Sequence, residues 1–409
     1  MQYLIIGAGP SGVNAAEQLC RLDADAAIRI VGDEPEAPYS RMAIPYLLMG
    51  NIDEQGTHLR DRADHFAAHG IDVSQGRVAR VDPAAHQVVL EDGQKLGYDR
   101  LLIATGSSPA RPPIPGIDGD HVASCWTLAD ARAIQSRIAA GRRVVLIGAG
   151  FIGSIILEAL AQRGVVLTVI EQGPRMVPRM MGPEAGGLLQ RWCESKGVGV
   201  RTGVAVEAIE TDGVRLADGS LVPADLVITA TGVRPNVALL EGSGVAIDQG
   251  VLIDRHFRTS IQDIYAAGDV AQGLDFCTGD YAVHAIQPTA SDHGYLAAVN
   301  MSGRDAEYEG SVNMNVLDTL GLLSCSFGRW EGVDGGEKAE LYAPDDYRYL
   351  SLQFQDDRLI GANAVGLYQH VGVLRGLIQR RAPLGVWRQR LMRDPTRLVE
   401  AYLSTTQVI

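Results

Sequence analysis

Short apolar runs alternate with glycine-containing turns at the start of the chain. Residues 3–6 have the continuous apolar pattern of a buried strand, and a turn is predicted at 7–12. Helical apolar spacing follows at 13–22, and a second buried strand is predicted at 27–31. The order strand, turn, helix, strand predicts a βαβ unit with a tight glycine turn.

The same pattern occurs again about 140 residues later, which is a repeat at the level of a whole fold. Residues 143–147 predict a strand, 148–153 a turn, 154–162 a helix and 165–170 another strand. Two such units indicate two nucleotide-binding folds in one chain.

Two further apolar strands, at 101–103 and 226–229, each run into the tripeptide Ala-Thr-Gly. From about residue 311 the pattern changes to alternating strands, such as 347–354, and then to an arginine-rich helical tail at 369–402. The predicted fold is therefore α/β, with two Rossmann-like dinucleotide-binding domains and a C-terminal α+β domain.

Each glycine turn matches the pattern Gly-x-Gly-x-x-Gly. In this pattern the first glycine permits the turn, the second lets a pyrophosphate approach the backbone, and the third lets the helix pack on the strand. The helix N-terminus then offers N–H groups to phosphates. The predicted dinucleotide contacts are Gly7, Gly9, Pro10, Ser11 and Gly12 in the first copy and Gly148, Gly150, Phe151, Ile152 and Gly153 in the second.

An acid near the end of the second strand completes each pattern by accepting hydrogen bonds from a ribose. In the first copy either Asp33 or Glu34 has this position, and Glu34 is preferred. In the second copy it is Glu171, whose charge repels a 2′-phosphate and so favours NADH over NADPH. Arg175 is close enough along the chain to weaken that preference.

Composition narrows the class of protein. The chain has 36 basic and 49 acidic residues, a net charge of −13, which argues against nucleic-acid and anionic-membrane partners. The 5 cysteines are far apart, so we expect no local redox disulfide, no cysteine metal site and a reducing compartment. No apolar stretch reaches the ~18 residues of a membrane span, and we expect a cytoplasmic protein.

The two glycine patterns, the two Ala-Thr-Gly strand ends, Gly232-Val233-Arg234-Pro235-Asn236 and 264–269 together resemble the FAD-dependent pyridine nucleotide-disulfide oxidoreductase superfamily. The resemblance implies FAD at the first pattern and NAD(H) at the second, where Gly232 and Val233 also contribute. It further implies FAD contacts from the residues Val78, Ala104, Thr105, Gly106, Gly268 and Asp269.

The resemblance also implies domain boundaries. The FAD-binding domain would be discontinuous, at 1–112 and 242–312, with the NAD(H)-binding domain at 113–241 between its two parts. Residues 313–409 would form a C-terminal interface domain of the kind that supports dimerisation in related proteins.

One departure narrows the resemblance. Many members carry a redox cysteine where this chain has Met42, and a thioether cannot act as a thiolate. The segment from Pro38 is similar instead to the branch that reduces rubredoxins and ferredoxins, which implies a flavin environment of Arg41, Pro45 and Tyr46 and no assigned catalytic residue. That branch usually has a lysine near the position of Tyr46 and a glutamate at the position of Ile155.

The resulting expectation is an NADH:acceptor oxidoreductase that transfers a hydride between NAD(H) and FAD and single electrons to an iron–sulfur protein or subunit. Residues 311–321 are similar to flavin subunits of multi-subunit tungsten aldehyde or 2-oxoacid oxidoreductases. A self-contained NADH oxidase or small-molecule reductase, and a structural or redox-sensing flavin subunit, are the alternatives.

The tail suggests where a partner docks. Residues 371–400 carry a net charge of +5 in an acidic chain, which is typical either of a solvated helical face or of a docking surface for an acidic iron–sulfur protein. The candidate docking residues are Arg375, Arg380, Arg381, Arg388 and Arg390.

Overall fold

The computed structural model describes residues 1–367, 369 and 371–406. Residues 368, 370 and 407–409 of the predicted C-terminal domain lie outside the described residues. Residue 370 is also part of the predicted helical tail. None of the helices in the described part of the chain has the length and apolarity that a membrane crossing needs.

The strands follow one another in the order β1 Gln2–Ile6, β2 Ala27–Gly32, β3 Ile71–Gln75, β4 Val78–Asp82, β5 Gln87–Leu90, β6 Lys95–Gly97, β7 Arg100–Ile103, β8 Ser107–Pro109, β9 Val122–Ser124, β10 Arg143–Ile147, β11 Val166–Glu171, β12 Gly199–Thr202, β13 Val206–Glu210, β14 Gly213–Leu216, β15 Leu221–Pro223, β16 Leu226–Thr229, β17 Val233–Pro235, β18 Val251–Leu252, β19 Ile264–Ala266, β20 Ala271–Leu274, β21 Tyr281–Val283, β22 Met314–Thr319, β23 Leu322–Gly328, β24 Glu337–Ala343, β25 Arg348–Gln355 and β26 Arg358–Val365.

The α-helices are α1 Pro10–Leu22, α2 Ile44–Met49, α3 His65–Ala68, α4 Leu128–Gln135, α5 Phe151–Gln162, α6 Pro183–Ser195, α7 Gln287–Met301, α8 Val371–Gln379, α9 Val386–Arg393 and α10 Leu398–Thr406. Short 3-10 helices lie at Arg41–Ala43, Gln55–Thr57, Pro83–Ala85, Ala238–Leu240, Gly268–Val270 and Pro344–Asp346. Helices α1 and α5 begin inside the predicted turns, because proline at Pro10 suits the first helical position and the last residues of each glycine pattern already have helical backbone.

The chain divides into two compact units. The first unit comprises residues 1–108 and 233–311, and the second comprises 109–232 together with the residues from 312 onward. The second nucleotide fold and the C-terminal sheet therefore belong to one unit. The predicted domain boundaries themselves stay a prediction.

The first unit is built on a five-stranded parallel sheet of order β19-β7-β1-β2-β3. Its central strand β1 pairs with β2 and β7 in register, so that Ile6 lies opposite both Val31 and Ile103. Helix α1 packs against α7, and the contact is so close that a Cβ on Gly294 would lie 2.1 Å from the backbone oxygen of Ser11. Two smaller sheets, β4-β5-β6 and β18-β20-β21, also belong to this unit.

The second unit contains a matching parallel sheet of order β12-β11-β10-β16-β9, in which Ile147 lies opposite Ile170 and Thr229. Its C-terminal part is a five-stranded antiparallel sheet of order β22-β23-β26-β25-β24. Helix α6 packs on β25 and β26, and Trp192 of α6 donates from Nε1 to the Thr319 oxygen at 3.1 Å. The two parallel sheets and the α+β C-terminal part confirm the predicted fold class.

Candidate functional site

The first glycine turn connects β1 to α1 and has little room for side chains. Gly7 has φ +117°, and a Cβ on it would lie 2.0 Å from the Ala104 oxygen. A Cβ on Gly12 would lie 2.0 Å from the Gly7 oxygen, whereas a Cβ on Gly9 would meet no atom within 4 Å. The first and third glycines are therefore required by the backbone, and the second leaves open space at a helix N-terminus.

The second glycine turn, between β10 and α5, repeats this geometry. Gly148 has φ +104°, and its Cβ would lie 2.4 Å from the Ala230 oxygen. A Cβ on Gly153 would lie 2.0 Å from the Gly148 oxygen, while Gly150 has nothing within 4 Å. Each turn thus leaves its middle glycine open to an anion approaching the positive end of a helix.

The residues between the glycines differ in the two turns. Pro10 and Ser11 begin α1, and among the described residues none gives the buried Ser11 Oγ a hydrogen bond. A buried hydroxyl without a partner is costly, so this one fits a site that a polar ligand completes. Phe151 and Ile152, at the same positions of α5, are half-buried.

Of the two acids considered for the first ribose, Asp33 is exposed, whereas both carboxylate oxygens of Glu34 accept hydrogen bonds from neighbouring side chains. Arg41 Nη2 donates to Glu34 Oε1 at 2.6 Å, and the Tyr39 hydroxyl donates to Glu34 Oε2 at 2.6 Å. The Arg41 guanidinium lies 5.6 Å from the centroid of the Tyr39 ring. Glu34 and Arg41, which were predicted as separate contacts, therefore form one ion pair.

The Ala104–Gly106 segment is hydrogen-bonded to Asn236, the last residue of the Gly-Val-Arg-Pro-Asn motif and a residue of the same unit. The Thr105 hydroxyl donates to the Asn236 oxygen at 2.8 Å, and Asn236 Nδ2 donates to the Thr105 oxygen at 2.9 Å. The Asn236 N–H also donates to the Gly106 oxygen at 3.0 Å. Asn236 therefore acts as a clamp on this strand end, a role that the motif alone did not indicate.

Asp269 lies directly after Gly268, which has φ +78°. The Ser107 hydroxyl donates to Asp269 Oδ2 at 2.9 Å. Burial raises the pKa of Asp269, and the Ser107 hydrogen bond and the charge of Arg41 oppose that rise. A desolvated carboxyl with acceptor capacity left over suits a ligand hydroxyl. Ser107 was not found by sequence reasoning.

A buried histidine lies behind this segment. His293 of α7 accepts a hydrogen bond on Nδ1 from the Gly268 N–H at 3.4 Å, and its Nε2 lies 3.1 Å from Ser311 Oγ. Burial lowers the pKa of His293 to about 3, so the ring is neutral and keeps an acceptor nitrogen for Gly268. No sequence pattern pointed to this residue.

The remaining predicted FAD contacts and the flavin-environment residues also lie in the first unit. Val78 begins β4 and is half-buried. Pro45 is buried in α2, whereas Tyr46 is 53% exposed and Met42, at the cysteine position of the superfamily, is 42% exposed.

Glu171 is held against the second glycine turn. Its Oε2 accepts from the Ala149 N–H at 2.8 Å and its Oε1 from the Gly173 N–H at 2.7 Å. Arg175 turns away from it, because Nε donates to the Met181 oxygen at 2.7 Å. Gly232 has φ +105° and is the last residue of the connection between β16 and β17. Val233 is the first residue of β17.

No disulfide joins the cysteines, all of which lie in the described part of the chain. Burial raises the pKa of Cys125, Cys193 and Cys325 to about 12, so these thiols stay protonated. The half-buried Cys277 donates its backbone N–H to the Asp275 carboxylate at 2.7 Å. In the described part of the chain no cluster of metal-ligating side chains occurs.

The arginines of the tail differ in their surroundings. Arg388 pairs with Glu337, and Arg375 donates from Nε to Gln379 at 3.0 Å. Arg380 and Arg390 are exposed, with their guanidinium groups 5.7 Å and 4.6 Å from the ring centroids of Tyr402 and Trp387. Arg381 is also exposed.

The sequence pattern of the family described as pyridine nucleotide-disulphide oxidoreductase matches residues 1–290. The chain belongs to this family. It is 31% identical to the NADH-dependent phenylglyoxylate dehydrogenase subunit epsilon of Aromatoleum evansii, over 99% of this chain and 98% of that subunit. It is also 31% identical to the ferredoxin–NAD(+) reductase component of the anthranilate 1,2-dioxygenase system of Burkholderia cepacia, over 97% of each chain.

Solved structures agree with these relatives. A putidaredoxin reductase, solved as a covalent complex with putidaredoxin, superposes with a TM-score of 0.92 at 25% identity, over 99% of each chain. The family and the fold identify an oxidoreductase that uses FAD and a nicotinamide dinucleotide, as the sequence analysis predicted. The ferredoxin-reductase branch of the resemblance is confirmed as well.

Proposed function

We propose that this protein exchanges electrons between NAD(H) and an iron–sulfur protein or subunit. The proposal rests on two features of the chain: the pair of glycine turns with the same backbone geometry, and Met42 at the position where thiol-using members of the superfamily carry cysteine. Full-length similarity to a ferredoxin–NAD(+) reductase component supports the iron–sulfur acceptor.

In this proposal the first unit holds FAD. The open space at Gly9 and the Ser11 hydroxyl receive the pyrophosphate, and the Asp269 carboxylate receives a hydroxyl of the ribityl chain. Asp33 or Glu34 binds the adenosine ribose, with Arg41 beside it. The other contacts proposed are Gly7, Pro10, Gly12, Val78, Ala104, Thr105, Gly106 and Gly268, with Pro45 and Tyr46 beside the ring system.

The second unit holds NAD(H) in this proposal. The open space at Gly150 faces the pyrophosphate, and Glu171 accepts hydrogen bonds from the adenosine ribose. Arg175 is occupied by the Met181 oxygen, which supports NADH over NADPH. The remaining contacts proposed in this unit are Gly148, Phe151, Ile152, Gly153 and Gly232, and Val233, which follows Gly232 directly in the chain, is proposed as well.

When bound, FAD and NAD(H) would supply the redox chemistry, which is hydride exchange between the two and single-electron transfer to a one-electron carrier. The residues of the chain bind and orient the two dinucleotides. No step needs a thiolate, which agrees with the raised pKa of Cys125, Cys193 and Cys325.

We further propose that the protein is a dedicated NAD(H) module of a larger iron–sulfur oxidoreductase. The similarity to a subunit of an NADH-dependent phenylglyoxylate dehydrogenase over almost the whole chain supports this, as does the character of residues 311–321. The three-domain division, a dimerisation role for 313–409 and a cytoplasmic location remain part of the proposal.

Two measurements test the proposal. In the first, the native protein is purified under mild conditions and analysed for co-purifying iron and acid-labile sulfide. In the second, the protein is mixed with NADH in a stopped-flow instrument and the absorbance of its flavin is followed. We expect iron–sulfur subunits and flavin bleaching within milliseconds to seconds. Slow or no bleaching would indicate a structural subunit, and rapid NADH consumption in air without a partner would indicate an oxidase.

The docking surface is tested separately. We propose that Arg380, Arg381 and Arg390, which are exposed, lead the docking of an acidic partner, with Arg375 and Arg388 at its margin. Replacing these three arginines by glutamate should slow electron transfer to the partner about tenfold at low salt and leave NADH–dye activity unchanged. A matched control replaces three exposed arginines elsewhere in the second unit, Arg142, Arg163 and Arg201. Equal partner rates in the two triple variants would disprove the docking surface.

A further inference from the structure

The loop between β11 and α6, residues 172–182, is bound to the second glycine turn. The Val177 N–H donates to the Ala149 oxygen at 2.8 Å. Glu171, just before the loop, accepts from the Ala149 N–H at 2.8 Å. The loop therefore holds the Ala149 oxygen and the adjoining end of β11 holds the Ala149 N–H, so the loop is one of the contacts that fix the turn.

The loop has a conformation that it would not adopt alone. Val177 is buried and has φ +43°, in a region that β-branched residues rarely occupy. Such a backbone persists only where surrounding contacts impose it, and it occurs often at ligand sites. The side chain of Arg175 closes the loop on itself through the Met181 oxygen.

The C-terminal sheet supplies the outside support. Asn363 of β26 is 2% exposed; its Nδ2 donates to the Met180 oxygen at 2.9 Å, and its Oδ1 accepts from the Gly182 N–H at 3.1 Å. Its neighbours across the sheet are Ser326 and Ser351. The buried Asn363 amide has small side chains as its cross-strand neighbours, and it makes two hydrogen bonds to one loop. It therefore holds that loop in one position.

We infer that Asn363 is a positioning residue for NAD(H): it holds the 172–182 loop, and through Val177 and Glu171 it sets the Ala149 backbone of the glycine turn. The inference rests on the proposed function, in which this turn binds NAD(H). It assigns the C-terminal sheet a part in cofactor recognition in addition to any role at an interface.

The test uses the FAD-loaded protein with Asn363→Ala and, as a milder change, Asn363→Ser, whose hydroxyl is too short to reach both loop partners. Asn315→Ala is the control, because Asn315 lies in β22 of the same sheet and its side-chain hydrogen bonds go to Asn313 and Ser326. The measurements are amide hydrogen exchange at Gly182, NAD⁺ affinity by fluorescence titration, and steady-state NADH–dye kinetics.

For Asn363→Ala we expect faster exchange at Gly182 and about tenfold weaker NAD⁺ binding, with KM for NADH raised alike. The value of kcat at saturating NADH and the flavin content should match those of Asn315→Ala. Asn363→Ser should show the same changes at smaller size, which keeps the test valid if the alanine variant unfolds.

Unchanged NAD⁺ affinity alongside faster Gly182 exchange would overturn the inference, because the contact would then serve the fold alone. Unchanged exchange would overturn it too. Failure of the unsubstituted protein to bind NAD⁺ would refute the proposed function and the inference with it, and the exchange data would show that the contact itself exists.

Discussion

Replacing Gly150 by alanine should separate cofactor binding from folding. Gly150 precedes α5 with φ −73°, and a Cβ there meets no heavy atom within 4 Å. Losing a glycine N-cap costs about 1 kcal/mol or less, and the stiffer unfolded chain returns about 0.4–1 kcal/mol. The free energy of unfolding should therefore change by less than about 1 kcal/mol.

Binding should suffer far more. The new methyl group would occupy the open space through which the pyrophosphate is proposed to reach the N-terminus of α5. Loss of one charge-assisted hydrogen bond costs about 1.5–3 kcal/mol, which corresponds to a KM for NADH raised about 10- to 150-fold. The flavin should stay bound in full, because it is proposed to bind in the first unit.

Two other glycines of the second unit provide comparison variants for Gly150→Ala. A Cβ on Gly153 would lie 2.0 Å from the Gly148 oxygen, so Gly153→Ala should lower the unfolding temperature or prevent folding. Gly187, inside α6, has nothing within 4 Å, and Gly187→Ala should stabilise the helix by about 0.5–1 kcal/mol without affecting NADH.

The assay combines thermal unfolding, the ratio of flavin to protein absorbance, and NADH–dye kinetics for all three variants. If Gly150→Ala binds NADH as tightly as the unsubstituted protein while its flavin is intact, the second glycine turn does not receive the pyrophosphate. If Gly153→Ala is as stable as Gly187→Ala, the close approach of α5 to the turn is wrong.

Three further predictions concern single acids and a histidine. Asp269→Ala should weaken FAD binding about tenfold or more, measured by titrating flavin-free protein; unchanged affinity would contradict the ribityl contact. Glu171→Ala should raise the kcat/KM ratio of NADPH to NADH about tenfold, since it removes the charge that repels a 2′-phosphate; an unchanged ratio would refute that role. The pKa of His293 falls from 6.5 to about 3 on folding. The contribution of the neutral ring to the free energy of unfolding is therefore complete above pH 6.5 and is lost as pH falls towards 3. As pH falls from 6.5 to 4.5, the free energy of unfolding of His293→Gln should therefore decrease by about 2 kcal/mol less than that of the unsubstituted protein, measured by urea titration. Equal decreases would count against a neutral buried ring.

Much of the fold could be predicted because its signals are local. Continuous apolar runs marked the parallel strands β1, β2, β10 and β11, and the glycine patterns between them marked the turns. The start of α1 was placed too late, because a glycine pattern indicates a turn but not how many of its residues are already helical.

The long-range contacts could not be predicted in the same way. Nothing near Asn236 along the chain indicates that it clamps Thr105, and nothing near His293 indicates that it supports Gly268. Such pairs form only where separate segments fold to the same place, and many residue pairs far apart in sequence are equally compatible with the same hydrophobic pattern.

The sequence by itself determined the two βαβ units, the family, both dinucleotides and the absence of a cysteine at position 42, because each depends on residue type and short spacing. Tertiary structure alone decided that Glu34 pairs with Arg41, that Ser107 contacts Asp269, and that the C-terminal sheet reaches the loop after Glu171 through Asn363. The physical reason is the range of the interactions. A turn needs only its own residues, whereas a buried polar contact needs two segments brought together, with every donor and acceptor satisfied, by the packing of the whole unit.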